Sequence, residues 1–365
     1  MSKLQFSNIR VAALTCAVPA NIQKVNLDPE SPNHSYLKSF VRQIGITQRH
    51  ISITEQTCSD TGYVAALEAL KKASLKSEDI DAVIFFTQTP DFNPGTSNAH
   101  IIQHRLSMRK DVMAFDVPLG CSSFPYGLSI CGSLLQQKSI NRILMLTGDT
   151  HWCDYKNRED LLSAEHFINA EGTTALILEK KDGYPVNISL YSDGSGYKYL
   201  FCPKKGDRNA WRPFTKAKLA NGTIIGTGEY MDGIEITSFA TTTVVECIRN
   251  FLSENNKKID DFDGIVLHQA NKQIVKTIAK RLNADLEKVP MSMDRYANTD
   301  GATVSLTIAD AYSNDSRDKL KLLVSAFGVG LSWGVASLEI EPSVIVPIIE
   351  VEDARFEEGY VTPIE

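Results

Sequence analysis

Three residues that can do chemistry together are spread along this chain: a cysteine at 121, a histidine at 268 and an asparagine at 298. Cys121 lies in Phe115-Asp116-Val117-Pro118-Leu119-Gly120-Cys121-Ser122-Ser123-Phe124, which reads as a buried strand, a tight turn and the head of a helix. Phe124, Leu128, Cys131, Leu134 and Leu135 recur at about 3.6 residues, so a largely buried helix is predicted over about 122 to 137. Pro125 falls in its first turn, where a missing N–H costs nothing. A thiol at that point faces unpaired N–H groups and the positive end of the helix dipole. Such a setting favours thiolate and makes a nucleophile near neutral pH. The plainer alternative is that Cys121 is a small buried apolar side chain.

His268 ends an apolar strand in Val266-Leu267-His268-Gln269-Ala270-Asn271, and Asn298 lies in Arg295-Tyr296-Ala297-Asn298-Thr299-Asp300-Gly301, just before a helix. Phe327-Gly328-Val329-Gly330 closes a later strand with a tight turn whose backbone N–H groups can line a site. Taken singly, the histidine reads more readily as a satisfied polar residue at a strand end than as a catalyst, and the asparagine can be read as only a cap or turn residue. Together they mark matched ends of a repeated unit.

That unit is visible in the order of the elements. Apolar strands are predicted from Leu4 to Leu14, at Asp81 to Thr87, Arg142 to Asp149 and Thr173 to Glu179; helices are predicted at Ser35 to Ile44, Thr57 to Lys72 and Thr96 to Arg105. Phe262 to His268 answers the strand at Val83, Lys321 to Phe327 the strand at Ile143, and Gly334 to Ile340 the strand at Ala175. The helix from Lys272 to Leu282 answers that at Thr96, and Gly301 to Ala311 answers the helix after Cys121. Alternating strands and helices imply mixed, mainly parallel sheets covered by helices, with functional groups gathered at strand ends. The predicted organisation is a thiol-bearing half over 1–183, a His- and Asn-bearing half over 184–340, and an acidic extension over 341–365, placed on the surface or disordered.

The chain has 365 residues, 43% hydrophobic and 22% charged, with a net charge of −6. This composition fits a large globular core and argues against general nucleic-acid binding. No apolar run reaches a membrane span and the N-terminus lacks a signal-peptide pattern, so the expected location is the cytoplasm. Seven cysteines, widely spaced and without a C-x-x-C pair, argue against a disulfide framework and a structural zinc site.

From about residue 5 to 340 the chain resembles the β-ketoacyl-acyl-carrier-protein synthase III family of the thiolase superfamily. The resemblance rests on the Cys121 turn, His268-Gln269-Ala270-Asn271, Asn298-Thr299, and Phe327-Gly328-Val329-Gly330 with Ser332-Trp333-Gly334. It implies an α/β thiolase fold, two duplicated halves packed as five layers α/β/α/β/α, and a catalytic triad of Cys121, His268 and Asn298. It also implies a reaction. Cys121 takes an acyl group from an acyl-coenzyme A or acyl-carrier thioester, with N–H groups of Cys121 and the Phe327 to Gly330 turn as oxyanion donors. A malonyl thioester on an acyl carrier protein then loses carbon dioxide, its enolate oxygen held by His268 Nε2 and the Asn298 amide, and attacks the acyl-cysteine. Phe327 would shield the thiol, or serve only in core packing. No metal or redox cofactor is expected, and a homodimer joined through the edge of the first sheet is.

The sequence departs from the family pattern at three places. Ser39 and Gln43 stand where a coenzyme A clamp has tryptophan and arginine, and Ser163 stands near the place of a second arginine. Gly95, in Thr89-Pro90-Asp91-Phe92-Asn93-Pro94-Gly95, replaces a large apolar side chain and suggests a wider acyl pocket. These departures point toward specialised acyl or polyketide synthesis as readily as toward primary fatty-acid initiation. Lys272, Lys276 and Lys280 form an i, i+4 stripe beside Arg281, suited to an acidic carrier protein or simply to solvent. Two rivals use the same fold: an acyltransferase that passes the acyl group to a hydroxyl or amine, and a non-catalytic partner subunit of a heterodimeric synthase, against which the presence of Cys121 stands. A degradative thiolase would need a second late cysteine, and none follows Cys247.

Overall fold

The computed structural model describes residues 2–52, 55–93, 95–151, 167–203, 207–209, 214–226 and 228–352. Strands β1 (Ser2–Phe6) and β2 (Ile9–Pro19) lead to helices α1 (His34–Ile44) and α2 (Cys58–Ala73). Strand β3 (Ala82–Phe86), helix α3 (Asn98–Arg105), strand β4 (Met113–Val117) and helix α4 (Ser123–Leu135) follow. Strands β5 (Arg142–Asp149), β6 (Gly172–Lys180) and β7 (Val186–Ser192) then precede helices α5 (Gly233–Thr241) and α6 (Thr243–Glu254). The chain continues through β8 (Gly264–Leu267), α7 (Lys272–Arg281), α8 (Thr303–Tyr312), β9 (Leu320–Gly328), β10 (Ser332–Ile340) and β11 (Ile349–Val351).

One sheet has the order β11-β2-β6-β5-β3-β4, the other β1-β7-β10-β9-β8. The inner order β2-β6-β5-β3 recurs as β7-β10-β9-β8, so the duplication predicted at three strands extends to a fourth, β7. Both sheets are mixed rather than mainly parallel. β3 runs parallel to β4 and β5, and β8 to β9, but β6, β7 and β10 make only antiparallel ladders with their neighbours. Antiparallel ladders read as continuous apolar runs here because each sheet is covered on both faces, which removes the alternation that would reveal direction.

Helices α4 and α8 lie between the two sheets. Phe124, Leu128 and Leu135 of α4 and Val304, Leu306 and Ile308 of α8 share one cluster with the inward residues of β2, β5, β6, β9 and β10. Ala65, Ala69 and Leu70 of α2 and Ile102 of α3 cover the outer face of the first sheet. Val245, Ile248 and Phe251 of α6 and Ile274 and Ile278 of α7 cover that of the second. Five layers result. Thr57 caps α2, its backbone N–H donating to Asp60 Oδ2 at 2.8 Å while Asp60 occupies the third helical position.

Three expectations are corrected. The segment from Leu4 to Leu14 is two strands, broken at Ser7–Asn8, of which the first crosses to the other half's sheet. β4, expected to be buried, is an edge strand with Met113 exposed. The acidic extension is ordered where described: Val344 and Ile345 are buried, and β11 pairs parallel with β2. Its apolar residues, not its charges, decide its place; residues 353–365 lie outside the described residues. The expected boundary near 183 falls at Gly183, in the turn between β6 and β7.

Candidate active site

Cys121 sits in the turn one residue before the Ser122 cap of α4, and is 7% exposed. The turn is pinned on two sides. Ser123 Oγ donates to Gly301 O at 3.3 Å, and Ser122 Oγ lies 2.6 Å from Ser332 Oγ, which donates to Val329 O at 2.7 Å. Gly328 faces the thiol so closely that a Cβ there would lie 2.5 Å from Cys121 Cβ and 2.9 Å from Sγ. The Phe327 to Gly330 turn is thus laid against the cysteine by strand β9.

His268 follows β8 and is buried, with the Phe327 ring edge-on at 5.4 Å between centroids. Its Nδ1 lies 2.7 Å from Thr303 Oγ1, and that hydroxyl donates to Asp300 O at 3.1 Å. With the hydroxyl proton spent on Asp300, ring Nδ1–H is the donor to Thr303 and the lone pair falls on Nε2. Burial pushes the His268 pKa down to about 4 against the opposing pull of Asp300, so the ring is neutral at pH 7. Gln269 is structural: its Nε2 donates to Leu267 O at 2.7 Å and its Oε1 accepts from Ser292 N at 3.2 Å, fixing the approach to the Asn298 loop. Asn271 caps α7, its side chain accepting from Ile274 N at 2.8 Å.

Asn298 is held by backbone on both sides, donating to Ile168 O and accepting from Ala170 N at 2.8 Å each. Its Oδ1 accepts from the Asp300 N–H at 3.1 Å, which leaves the amide Nδ2 as its donor end.

Two residues that sequence reasoning missed stand at the centre. The Cys121 thiol donates to Asp300 Oδ1 at 3.6 Å, and His151 Nε2 lies 2.6 Å from Asp300 Oδ2. Burial alone would lower the His151 pKa, but Asp300, Asp149 and Glu171 carry it up to about 9. Burial alone would raise Asp300, but the bond and charge of His151 hold it below the usual carboxylate range. The pair is therefore an ion pair at neutral pH. Burial and then Asp300 push Asp149 up to about 6, and burial pushes Glu171 up to about 7. Around Cys121 this corrects the expected thiolate: burial first, then Asp300, Asp149 and Glu229, raise the thiol far above its ordinary value. The signal available in sequence was the non-glycine turn after Asn298 and a histidine just past the β5 strand end, the same placement as His268 after β8.

The remaining expected residues lie away from this centre. Gly95 is exposed, and a Cβ there would lie 2.6 Å from Phe92 Cβ, which gives the glycine a reason within its own loop. On α7, Lys276, Lys280 and Arg281 are exposed, whereas Lys272 is half-buried with its stem packed on Gly45. The Arg281 guanidinium donates to Thr241 O at 2.5 Å. Ser39 accepts from Gln43 Nε2 at 3.2 Å on α1, and Ser163 lies outside the described residues. Among the described residues, six cysteines are free and no three His, Cys, Asp or Glu side chains converge as metal ligands. No described helix is long and apolar enough to cross a membrane.

With this geometry in view, the similarities are specific. The family model for 3-oxoacyl-[acyl-carrier-protein] synthase III matches residues 115–194, and that for its C-terminal part matches 252–340. A β-ketoacyl-[acyl-carrier-protein] synthase III from Clostridium perfringens is 33% identical over 304 residues, covering 81% of this chain and 88% of the relative. The enzyme of the same description from Caldanaerobacter subterraneus is 32% identical over 313 residues, covering 84% and 91%. A crystal structure of a 3-oxoacyl-(acyl-carrier protein) synthase from Burkholderia xenovorans superimposes with a TM-score of 0.85 at 26% identity, over 96% of this chain and 99% of that one.

Proposed function

The chain belongs to the β-ketoacyl-acyl-carrier-protein synthase III family, and from that premise we propose that Cys121, His268 and Asn298 carry a two-step condensation. In the first step Cys121 sulfur attacks the carbonyl of an acyl thioester. The S–H proton leaves by the His268 Nε2 lone pair and ends on the departing thiol, so acyl group and proton exchange places. In the second step the carbon–carboxylate bond of a malonyl thioester breaks, carbon dioxide leaves, and the electron pair of that bond forms the new carbon–carbon bond to the acyl carbonyl. Cys121 leaves as thiolate and regains a proton taken up from water by way of His268 Nε2. The Asn298 amide and a reprotonated His268 Nε2 are the donors available for the enolate oxygen, and Gly328, pressed against Cys121, brings backbone to the acyl carbonyl.

The observation that carries this reading is the convergence of a nucleophile, a neutral imidazole and a side-chain amide at the junction of the two halves, all held within two hydrogen bonds of Asp300. Transfer of the acyl group to a hydroxyl or amine has one observation in its favour: Asp300 is a carboxylate beside the sulfur. Its depressed affinity for protons makes it a weak base for an alcohol, whereas decarboxylation needs no base at all. Condensation is therefore preferred.

The exposed cations Lys276, Lys280 and Arg281 on α7 suit an acidic carrier protein, and the exposed edge strand β4 suits pairing with a second copy. The thioester-borne substrates fit a cytoplasmic enzyme without metal or redox cofactor. A panel of acyl-coenzyme A and acyl-carrier donors, followed by intact mass, tests the proposal. A Cys121 adduct that disappears on adding malonyl-carrier, as β-ketoacyl-carrier forms, is the expected result. An adduct that survives malonyl-carrier and is discharged by a hydroxyl or amine favours the acyltransferase, and absence of any adduct overturns both.

A further inference from the structure

Asp300 touches two members of the proposed triad and reaches the third through Thr303. Its carboxylate accepts from the Cys121 thiol, its N–H holds Asn298 Oδ1, and its C=O accepts from Thr303, which in turn meets His268. It does so from a left-handed backbone conformation, φ +47°, a region that aspartate and asparagine enter more readily than most side chains. His151 closes on its other oxygen, so the carboxylate cannot turn away from the sulfur without breaking an ion pair buried in the site.

We propose that Asp300, clamped by His151, is a positioning residue that keeps Cys121 a protonated, aimed thiol in the resting enzyme. Formation of thiolate at this distance places two anions side by side in a site poor in water, whereas the thiol donates a hydrogen bond to the carboxylate. The groups facing the sulfur from other elements do not offset this. Asp149 on β5 and Glu229 add negative charge, His268 after β8 is neutral, and the cation of His151 is already spent on Asp300. Asp300 thus opposes the helix end, and the balance keeps the thiol quiet toward stray electrophiles and oxidants until a thioester is bound.

The inference rests on Cys121 as the nucleophile only for its use in catalysis; the state of the thiol is measured without any acyl donor. Iodoacetamide alkylation of Cys121, followed by peptide mass over a range of pH, separates restraint from simple loosening. Asp300→Asn keeps the shape and the backbone contacts and removes the charge. The expected result is an alkylation midpoint at least one pH unit lower, about a tenfold faster reaction at pH 7.5, with the plateau rate at high pH unchanged. Asp300→Ser, which also tolerates a turn, is expected to shift the midpoint in the same direction. An unchanged or higher midpoint in both variants, or a raised plateau at an unchanged midpoint, overturns the proposal. Should the midpoint shift as expected while no donor acylates the native protein, the restraint stands and the condensing reading fails.

Discussion

At the scale of single residues, the buried ion pair makes stability depend on pH with a definite sign. His151 has a folded pKa of about 9, above its ordinary 6.5, so its contribution is fully present below pH 6.5 and is lost as pH rises through 9. The difference in unfolding free energy between the native chain and His151→Gln is therefore expected to be largest below pH 6.5. There it reaches up to roughly 3 kcal/mol, and it shrinks steadily toward pH 9 in chemical denaturation. A difference that stays flat across this window would show that Asp300 holds some other partner. Neither Asp300 nor His151 was singled out in the sequence, although His151 follows a strand end much as His268 does. Asp300 sits two residues after Asn298 in a stretch that reads as an ordinary turn, and its partner lies 149 residues away. Cys121, His268 and Asn298 were legible because each stands at a strand or helix end in a repeated order, a pattern that local residue types alone can carry.

At the scale of elements, the site depends on how closely β9 approaches the start of α4. Gly328→Ala would place a methyl carbon 2.5 Å from Cys121 Cβ, and both contacts are formed by backbone-anchored groups with little freedom to retreat. The expected outcome is a fall in acyl loading of about 100-fold, the cost of displacing a reacting group by roughly 1 Å. A single-turnover mass assay reads it, and stability should fall by about 1–3 kcal/mol. Loading at the native rate would mean that Gly328 is not part of the nucleophile's wall. Element positions were largely legible: β5 was predicted with its observed ends, and α1, α2 and α7 within a residue or two. Strand direction was not, since β6 and β10 are buried on both faces and show no alternation to distinguish their antiparallel ladders. Helix α6 escaped although Val244, Val245, Ile248, Phe251 and Leu252 carry its apolar face, because no counterpart in the first half was matched to it.

At the scale of the whole molecule, residues 341–352 are a structural member and not an appendage. Ile345 is 2% exposed, its neighbour Val346 donates to Leu14 O at 2.9 Å, and β11 closes the edge of β2. Ile345→Ala is expected to destabilise the protein by roughly 2–5 kcal/mol in urea denaturation, as for other buried aliphatic truncations. A mobile tail would give no change. Composition misled here, since the acidic residues that suggested disorder flank a few apolar ones that decide the packing.

The exchange of end strands has a temporal consequence. The edge of the second sheet is finished by β1, which precedes the other described strands, whereas the edge of the first sheet waits for β11, which follows them. During synthesis β1 has no sheet to join until β7 exists, and β2 keeps one side unpaired until β11 has been made. Neither half can be finished alone. The chain closes like a buckle whose tongue and frame lie far apart in sequence, and the nucleophile's half is the one that locks last.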